Sequence, residues 1–204
     1  MSAIKARFNR WRRWLWQLLC FRTLFGERTA DGRVLGHTRI APSTCIVGEQ
    51  GLRLADHVFI GQFNFIDASA GLEIGEGVQI SNFVSIVTHS SHRSIRLLGR
   101  RYVAHDESRS GPMPGYIRAP IQIGAYCFIG PHSLIEAGSQ IGRGAVICAY
   151  AQVRGAVPAF AIMAGQPARQ VGDVRNGDAE LLARHPELAE SYYAWAGQLP
   201  DVPL

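Results

Sequence analysis

Cysteine is scarce in this chain of 204 residues, and its four cysteines lack the close pairing that metal sites use. Cys20, Cys45, Cys127 and Cys148 stand far apart in the sequence. The spacing excludes a zinc site of the common structural kinds. It predicts reduced thiols, as expected of a cytoplasmic protein, and no bound metal.

Long hydrophobic runs are also lacking. The apolar stretch from Trp14 to Phe21 is too short to span a bilayer, and no small-residue cleavage site follows it. This argues against a membrane span and against a secretory signal. With 47% hydrophobic residues, the chain is long enough for one domain with a sizeable core.

Acidic residues are nearly missing from the first 40 positions, which hold two acidic and nine basic side chains. The rest of the chain holds fourteen acidic and twelve basic residues. The net charge of +5 is therefore a property of the N-terminus. A nucleic-acid surface spread over the fold is excluded by this distribution.

A period of six residues governs the middle of the chain, and neither a helix nor an ordinary strand has that period. An aliphatic residue occupies every sixth position at Ile123, Ile129, Ile135, Ile141, Ile147 and Val153. The fifth residue of each hexad is small: Cys127, Ser133, Ser139, Ala145 and Ala151. A chain that turns every six residues, with both of these positions facing inward, explains the pattern. Three hexads then make one triangular coil, and stacked coils share one core.

The same spacing recurs upstream, with aliphatic hexad positions at Ile40, Ile46, Leu54, Ile60, Ile66, Ile74, Ile80 and Ile86. Two extra residues fall before Leu54 and before Ile74, and nearby glycines predict small corner bulges there. The alternative is a sandwich of short amphipathic strands. That fold would show a dominant period of two, which the sequence does not have.

These hexads resemble the repeats of the hexapeptide-repeat acyltransferases. The segment that ends in "AGQPAR" at 164–169 is most similar to the branch of the maltose and galactoside O-acetyltransferases and the polysaccharide O-acetyltransferases. The resemblance implies an all-β solenoid, a left-handed parallel β-helix, with acetyl-CoA as acyl donor, a carbohydrate acceptor and a homotrimeric assembly. We expect a helical N-terminal segment at 1–39, the β-helix at 40–172 and a helical C-terminal segment at 173–204. In that last segment we expect Asp178 to cap the first of two short helices that cover the end of the coil.

A large insertion interrupts the repeats at 88–119, and insertions in solenoids often line the binding face. Acyl transfer to a hydroxyl needs a base that works near neutral pH, and histidine is the natural candidate. The resemblance implies a histidine soon after the preceding hexads. His89 fits that position best because it follows Ile86 by three residues, and His92 remains the alternative.

Further site residues follow from the resemblance. The acceptor-binding candidates are Asn64, Asp67, Asn82, Arg93 and Tyr116. The candidates for binding the donor are Pro131, His132, Ala149, Arg154 and Arg169. Phosphates of the donor require cations, and with Lys5 as the single lysine that role falls to arginine.

The N-terminal segment interleaves aromatic and basic residues at helical spacing, as in Trp11, Arg12, Arg13, Trp14 and Leu15. One hypothesis is a helix that packs on the coil or on a neighbouring subunit. The other is an interfacial helix, with tryptophans at headgroup depth and arginines facing anionic lipid, giving peripheral contact at the inner face of the membrane.

The sequence thus predicts an acetyl-CoA-dependent O-acetyltransferase that acts on a sugar hydroxyl of a bacterial surface polysaccharide or its precursor, with a histidine base. A xenobiotic or amino-sugar N-acetyltransferase is the alternative within enzymes. A non-catalytic or metal-binding β-helix protein is the alternative outside them. The sequence does not identify the acceptor.

Overall fold

The computed structural model describes residues 3–197 and consists of many very short strands with helices at both ends. The helices are α1 Ala3–Cys20, α2 Ser94–Leu98, α3 Glu107–Ser110, α4 Val174–Arg184 and α5 Ala189–Ala196. The strands are β1 Glu27–Arg28, β2 Val34–Leu35, β3 Arg39–Ile40, β4 Cys45–Val47, β5 Leu52–Leu54, β6 Phe59–Ile60, β7 Phe65–Asp67, β8 Leu72–Ile74, β9 Gln79–Ile80, β10 Ser85–Ile86, β11 His89–Ser90, β12 Ile117–Arg118, β13 Ile121–Ile123, β14 Phe128–Ile129, β15 Leu134–Ile135, β16 Gln140–Ile141, β17 Val146–Ile147, β18 Gln152–Val153, β19 Ala156–Val157, β20 Ala161–Gly165 and β21 Ala168–Asp173.

The strands stack into three parallel sheets that form the faces of a triangular prism. Sheet I contains β3, β6, β9, β14, β17 and β20, with β21 antiparallel at its edge. Sheet II contains β4, β7, β10, β15 and β18, and sheet III contains β5, β8, β13, β16 and β19. From β3 to β20, apart from the β11–β12 pair, consecutive strands belong to different sheets, so the chain turns a corner after nearly every hexad. The predicted coil is confirmed, and the sandwich alternative is wrong.

The core lies along the prism axis, as the hexad pattern predicts. Aliphatic hexad residues from Leu54 to Val153 are at most 4% exposed. Small residues in the fifth position close the corners from inside: the Ser133 hydroxyl donates to the Gly130 carbonyl at 2.6 Å. Burial raises the pKa of the Cys127 thiol to about 11, so this cysteine behaves as a small core residue.

Neighbouring coils approach so closely at some corners that only glycine fits. A Cβ added to Gly124 would lie 2.6 Å from the main-chain nitrogen of Arg143, and one added to Gly51 would lie 2.1 Å from the main-chain oxygen of Ala68. The two predicted corner bulges are present, the first as a 3-10 turn at Glu49–Gly51 and the second around Gly71. The extra residues are therefore absorbed without a break in the stack.

Aromatic side chains form a row along the corner between sheets I and II. Phe63, Phe83, His132 and Tyr150 all have positive φ, between 57° and 62°, which is uncommon outside glycine. Their rings stack on one another with centroids 4.8–5.1 Å apart. Stacking at the spacing of the coils offsets the backbone strain at these positions. We call this row the aromatic edge.

The ends of the prism differ in how they are covered. The antiparallel pair β1–β2 places Leu35, 5% exposed, in the core at the N-terminal end. At the other end Asp173 caps the N-terminus of α4, because its side chain accepts from the Arg175 main-chain nitrogen at 2.9 Å. The expectation that Asp178 caps this helix is wrong, because Asp178 accepts from the Tyr192 hydroxyl at 3.0 Å instead. The C-terminal helices pack Trp195 on the Tyr126 ring at a corner of the prism.

We predict that Gly124→Ala lowers the free energy of unfolding by about 1–3 kcal/mol. The new Cβ would overlap main-chain atoms of Arg143, which cannot move away without distorting the neighbouring coil. Gly177→Ala is the matched control. Gly177 lies inside α4 with open space around it, so alanine there should stabilise the protein by up to about 1 kcal/mol. Denaturant unfolding measures both, and equal effects of the two changes would contradict the close approach at Gly124.

Candidate active site

The chain leaves the prism after β10, and the site lies where it leaves. β11 pairs antiparallel with β12, with His89 opposite Arg118, so the two ends of the insertion are joined by a short ladder. Between them, residues 91–116 contain α2, a 3-10 turn and α3. His89 lies three residues after the end of β10, and it is held by main-chain pairing rather than carried on a free loop.

Asp67 lies beside His89 at the end of β7. Its Oδ2 atom is 2.8 Å from Nδ1 of His89. The same oxygen accepts from the Thr88 nitrogen at 3.0 Å and the Thr88 hydroxyl at 2.5 Å, and Oδ1 accepts from the Ser69 nitrogen at 2.9 Å. The side chain is 1% exposed. A buried carboxylate that accepts this many hydrogen bonds has a fixed orientation, so it also fixes the position of the imidazole.

The ionisation of Asp67 follows from these contacts. Burial by itself would raise the pKa of Asp67, but the hydrogen bonds from Thr88 and Ser69 outweigh it and hold the pKa below its usual value. The ionised carboxylate accepts a hydrogen bond from the Nδ1–H group of His89. In the neutral imidazole this tautomer leaves the lone pair on Nε2 free. The pair has the arrangement of a base and its orienting acid.

His89 is accessible in part, with 41% of its side chain exposed. The Tyr116 ring stacks on it at 5.8 Å between centroids, with 12° between the planes. Burial raises the pKa of the Tyr116 hydroxyl. The imidazole is therefore fixed by a carboxylate at one nitrogen and by a ring on its face.

His92 has a different environment. Its Nδ1 atom is 2.7 Å from the Ser90 hydroxyl, and the side chain is exposed. Among residues 3–197 no carboxylate pairs with it. The geometry favours His89 over His92 as the base, although the assignment itself stays a prediction.

The five acceptor candidates fall into different parts of the prism. Tyr116 is close to His89, and the Arg93 Cβ adjoins Gly115, the residue before Tyr116. Asn64 is only 2% exposed, and its amide bonds the Gly61 carbonyl and the Val84 nitrogen. Its position gives no support to an acceptor contact, because both polar groups are used inside the coil.

Asn82 and Asp67 also differ from what the sequence led us to expect. Asn82 lies at the corner before β10, where its Oδ1 accepts from the Gln62 nitrogen at 2.7 Å, whereas His89 lies beyond the other end of that strand. Asp67 contacts His89, and its two carboxylate oxygens are taken up by His89, Thr88 and Ser69. One sequence feature could have indicated that Asp67 contacts His89. Asp67 is an acidic residue directly after the hexad residue Ile66, on the coil next to the insertion.

Donor candidates lie on two edges of sheet II. His132 is part of the aromatic edge, and Pro131 and Ala149 lie next to its members His132 and Tyr150 in the chain. The Gln166 amide donates to the Tyr150 carbonyl at 2.7 Å. This brings the β20–β21 hairpin, and Arg169 in it, to the same edge.

Arg154 lies on the opposite edge of sheet II. In the register of that sheet Asp67, Val87, Glu136 and Arg154 follow the aligned core residues of successive strands, and we call this row the loop edge. Arg154 is therefore two strands from Val87, or roughly 10 Å at the usual strand spacing. Its Nε atom is 3.7 Å from Oε2 of Glu136, a partner that the sequence did not suggest.

His37, Asp56 and His57 form the one group of described residues whose ligand atoms, within 4.8 Å of one another, could together hold a metal ion. The two imidazoles stack at 4.4 Å. Asp56 Oδ1, however, accepts from the main-chain nitrogens of both histidines and from the Thr38 hydroxyl at 2.8–2.9 Å. Burial would raise the pKa of Asp56, but these bonds lower it overall. The carboxylate serves to close a corner of the coil.

Comparison with known proteins agrees with this architecture. Residues 117–155 match the family model described as "Bacterial transferase hexapeptide (six repeats)". A probable acetyltransferase of Mycobacterium tuberculosis is 31% identical over 141 residues, which is 69% of this chain and 43% of that protein. The chain thus spans less than half the length of this relative.

Two solved structures share the fold. A hexapeptide-repeat-containing acetyltransferase from Vibrio cholerae O1 biovar eltor, solved with acetyl coenzyme A, has a TM-score of 0.55 at 22% identity and covers 80% of this chain and 77% of its own. A maltose O-acetyltransferase from Clostridium difficile 630 has a TM-score of 0.51 at 21% identity, covering 64% and 63%. The repeats of this chain are similar to those of the hexapeptide-repeat acyltransferase superfamily. The repeat family and the shared fold imply the left hand for the parallel β-helix.

We predict that Asp67 makes the protein less stable in acid. The unfolded carboxyl has a pKa of about 3.9, and the folded value lies below it, so the stabilisation is complete above that pH and is lost as pH falls. The unfolding free energy of the wild type should therefore drop more steeply between about pH 5 and pH 2 than that of Asp67→Asn. For each protein the unfolding free energy is measured relative to its own value at neutral pH. If the free energies of wild type and Asp67→Asn fall in parallel as the pH is lowered, the role of the ionised carboxylate is contradicted.

Proposed function

We propose that this protein is an acetyl-CoA-dependent O-acetyltransferase that acts on a sugar hydroxyl, such as one of a bacterial surface polysaccharide or its precursor. The observation that carries the proposal is the His89–Asp67 pair at the mouth of the insertion, with Nδ1 and Oδ2 2.8 Å apart. Relatives that carry acetyltransferase names support the reaction class.

His89 is the proposed general base. Its Nε2 atom takes the proton of the acceptor hydroxyl as that oxygen attacks the carbonyl carbon of the thioester. When the carbon–sulfur bond breaks, the same nitrogen returns the proton to the departing sulfur, so no proton is gained or lost overall. Asp67 stabilises the imidazolium that exists between these two steps, and it keeps the ring in one orientation.

Tyr116 is proposed to contact the acceptor because its ring stacks on His89, and Arg93 is proposed to do so because it lies near Gly115, next to Tyr116. Arg154 and Arg169 are proposed to bind phosphates of the donor, since both are exposed and the described part of the chain beyond residue 5 has no lysine. Pro131, His132 and Ala149 are proposed to line the path of the donor along the aromatic edge.

We further propose a homotrimer with active sites between subunits. His89 belongs to the loop edge of sheet II, while Arg169 and the aromatic edge lie at the other end of its strands. A site that needs both groups is completed if the loop edge of one subunit faces the aromatic edge of the next. Closed symmetry is the usual outcome of such a head-to-tail contact.

The test of the base is His89→Ala, for which we expect the turnover of acetyl-CoA with an acceptor to fall by about 10² to 10⁴. His92→Ala is the matched control and should retain most of the activity. Adding Asp67→Asn to His89→Ala should cost little more, because Asp67 acts through the imidazole. A large loss in His92→Ala with an active His89→Ala would transfer the role to His92.

The test of the assembly combines mass and complementation. Light scattering should give about three times the chain mass of 22.4 kDa. Co-expression of His89→Ala with Arg169→Ala subunits should restore part of the activity that each variant lacks, because some interfaces then carry both intact residues. A monomer that turns over acetyl-CoA, or mixed oligomers without recovery, would refute the shared site.

A further inference from the structure

Helix α1 has no buried residue over its 18 positions, which is unusual for a helix so rich in aromatic and aliphatic side chains. Ile4, Trp11, Trp14, Trp16 and Leu19 are each 52–77% exposed. The packing hypothesis is therefore wrong for the prism of the same chain.

The two kinds of side chain separate around the helix. At 100° per residue, one face of about 140° carries Ile4, Phe8, Trp11, Trp14, Leu15, Leu18 and Leu19. The remaining surface carries Lys5, Arg10, Arg12 and Arg13, and Trp16 also lies there, between Lys5 and Arg13. Arg7 falls within the apolar face, and its long side chain can reach past that face to water. The helix is amphipathic even though it is isolated.

Its charge is of one sign. Five basic residues and no acidic residue occur between Ala3 and Cys20. None of these five forms an ion pair with any residue in the described range 3–197. A protein partner at this surface would have to supply a concentrated acidic patch, whereas an anionic lipid surface supplies negative charge everywhere.

The helix is tethered at one end. The Phe21 ring packs edge-on against Phe63 at the end of the aromatic edge, 5.6 Å between centroids, and the Phe21 carbonyl accepts from the Gln62 amide at 2.8 Å. From this joint α1 extends for about 27 Å, at 1.5 Å per residue. Among the described residues no helix is long and apolar enough to cross a membrane.

We infer that α1 is an interfacial helix that binds anionic lipid, with its apolar face at the depth of the acyl-chain boundary and its basic face among the headgroups. Trp11 and Trp14, which lie on the apolar face, belong at that depth because their rings are apolar and their N–H groups are polar. The inference does not depend on the acetyl-transfer reaction, and it places the protein at a membrane surface without a span.

The test is flotation of the full-length protein with vesicles of phosphatidylcholine, with and without phosphatidylglycerol. We expect binding to the anionic vesicles alone, and weaker binding as salt rises above about 0.1 M, where screening acts over about 10 Å. Three of the four tryptophans lie in α1, so their fluorescence should shift to the blue on binding.

Arg12→Glu/Arg13→Glu should weaken vesicle binding by more than about tenfold. Arg53→Glu/Arg184→Glu is the matched control, because it changes the net charge equally at exposed arginines of β5 and α4 and should float like the wild type. Both variants should retain turnover with a soluble acceptor, so failure here is distinct from failure of the proposed reaction.

Two results would overturn the inference. The first is a full-length protein that stays unbound on anionic vesicles. The second is equal loss of binding in the two charge variants, which would mean that total charge rather than α1 drives the contact. If α1 instead joins copies of the chain, the Arg12→Glu/Arg13→Glu protein would dissociate in light scattering and the wild type would not float.

Discussion

The fold depends on main-chain contact between neighbouring coils. A single coil of three hexads exposes its aliphatic residues above and below, and it buries them only when another coil lies at hydrogen-bonding distance. This distance requires glycine where main chains meet, as at Gly124 and Gly51, and small side chains inside each corner. It also brings the corner side chains of successive coils to ring-stacking distance, which explains the row from Phe63 to Tyr150.

The candidate site uses the stiffness of this stack. Asp67 belongs to one coil and Thr88 to the end of the next, so the carboxylate is fixed by a neighbouring main chain before it meets His89. An insertion of nearly thirty residues would be a poor support for a base by itself. The β11–β12 ladder and the buried carboxylate supply the rigidity that the loop lacks.

The same geometry explains why function extends beyond one subunit in our proposals. A prism has flat faces and separate edges, so residues at the two ends of a short strand cannot meet within one chain. Arg169 and His89 are such residues, and the proposed site between subunits would bring them together. Helix α1 buries no side chain against its own chain. Its basic residues form no ion pair among residues 3–197, and an anionic lipid surface offers them more negative charge than the nearly neutral prism does.

The period of six in the sequence determined the coil, its core residues, its corner bulges and the position of the insertion. This was possible because the two inward-facing positions of each hexad can be recognised from the residues of that hexad alone. Only the tertiary structure decided which side chains meet across coils. The pairing of Asp67 with His89, the burial of Asn64, the stacking of His132 and the pairing of Arg154 with Glu136 all join residues about 15 to 50 positions apart. The register between coils sets these contacts, and the length of the insertion shifts that register without leaving a mark in any single hexad. The isolation of α1 was likewise beyond the sequence, since an amphipathic helix has the same pattern whether it packs on protein or lies on lipid.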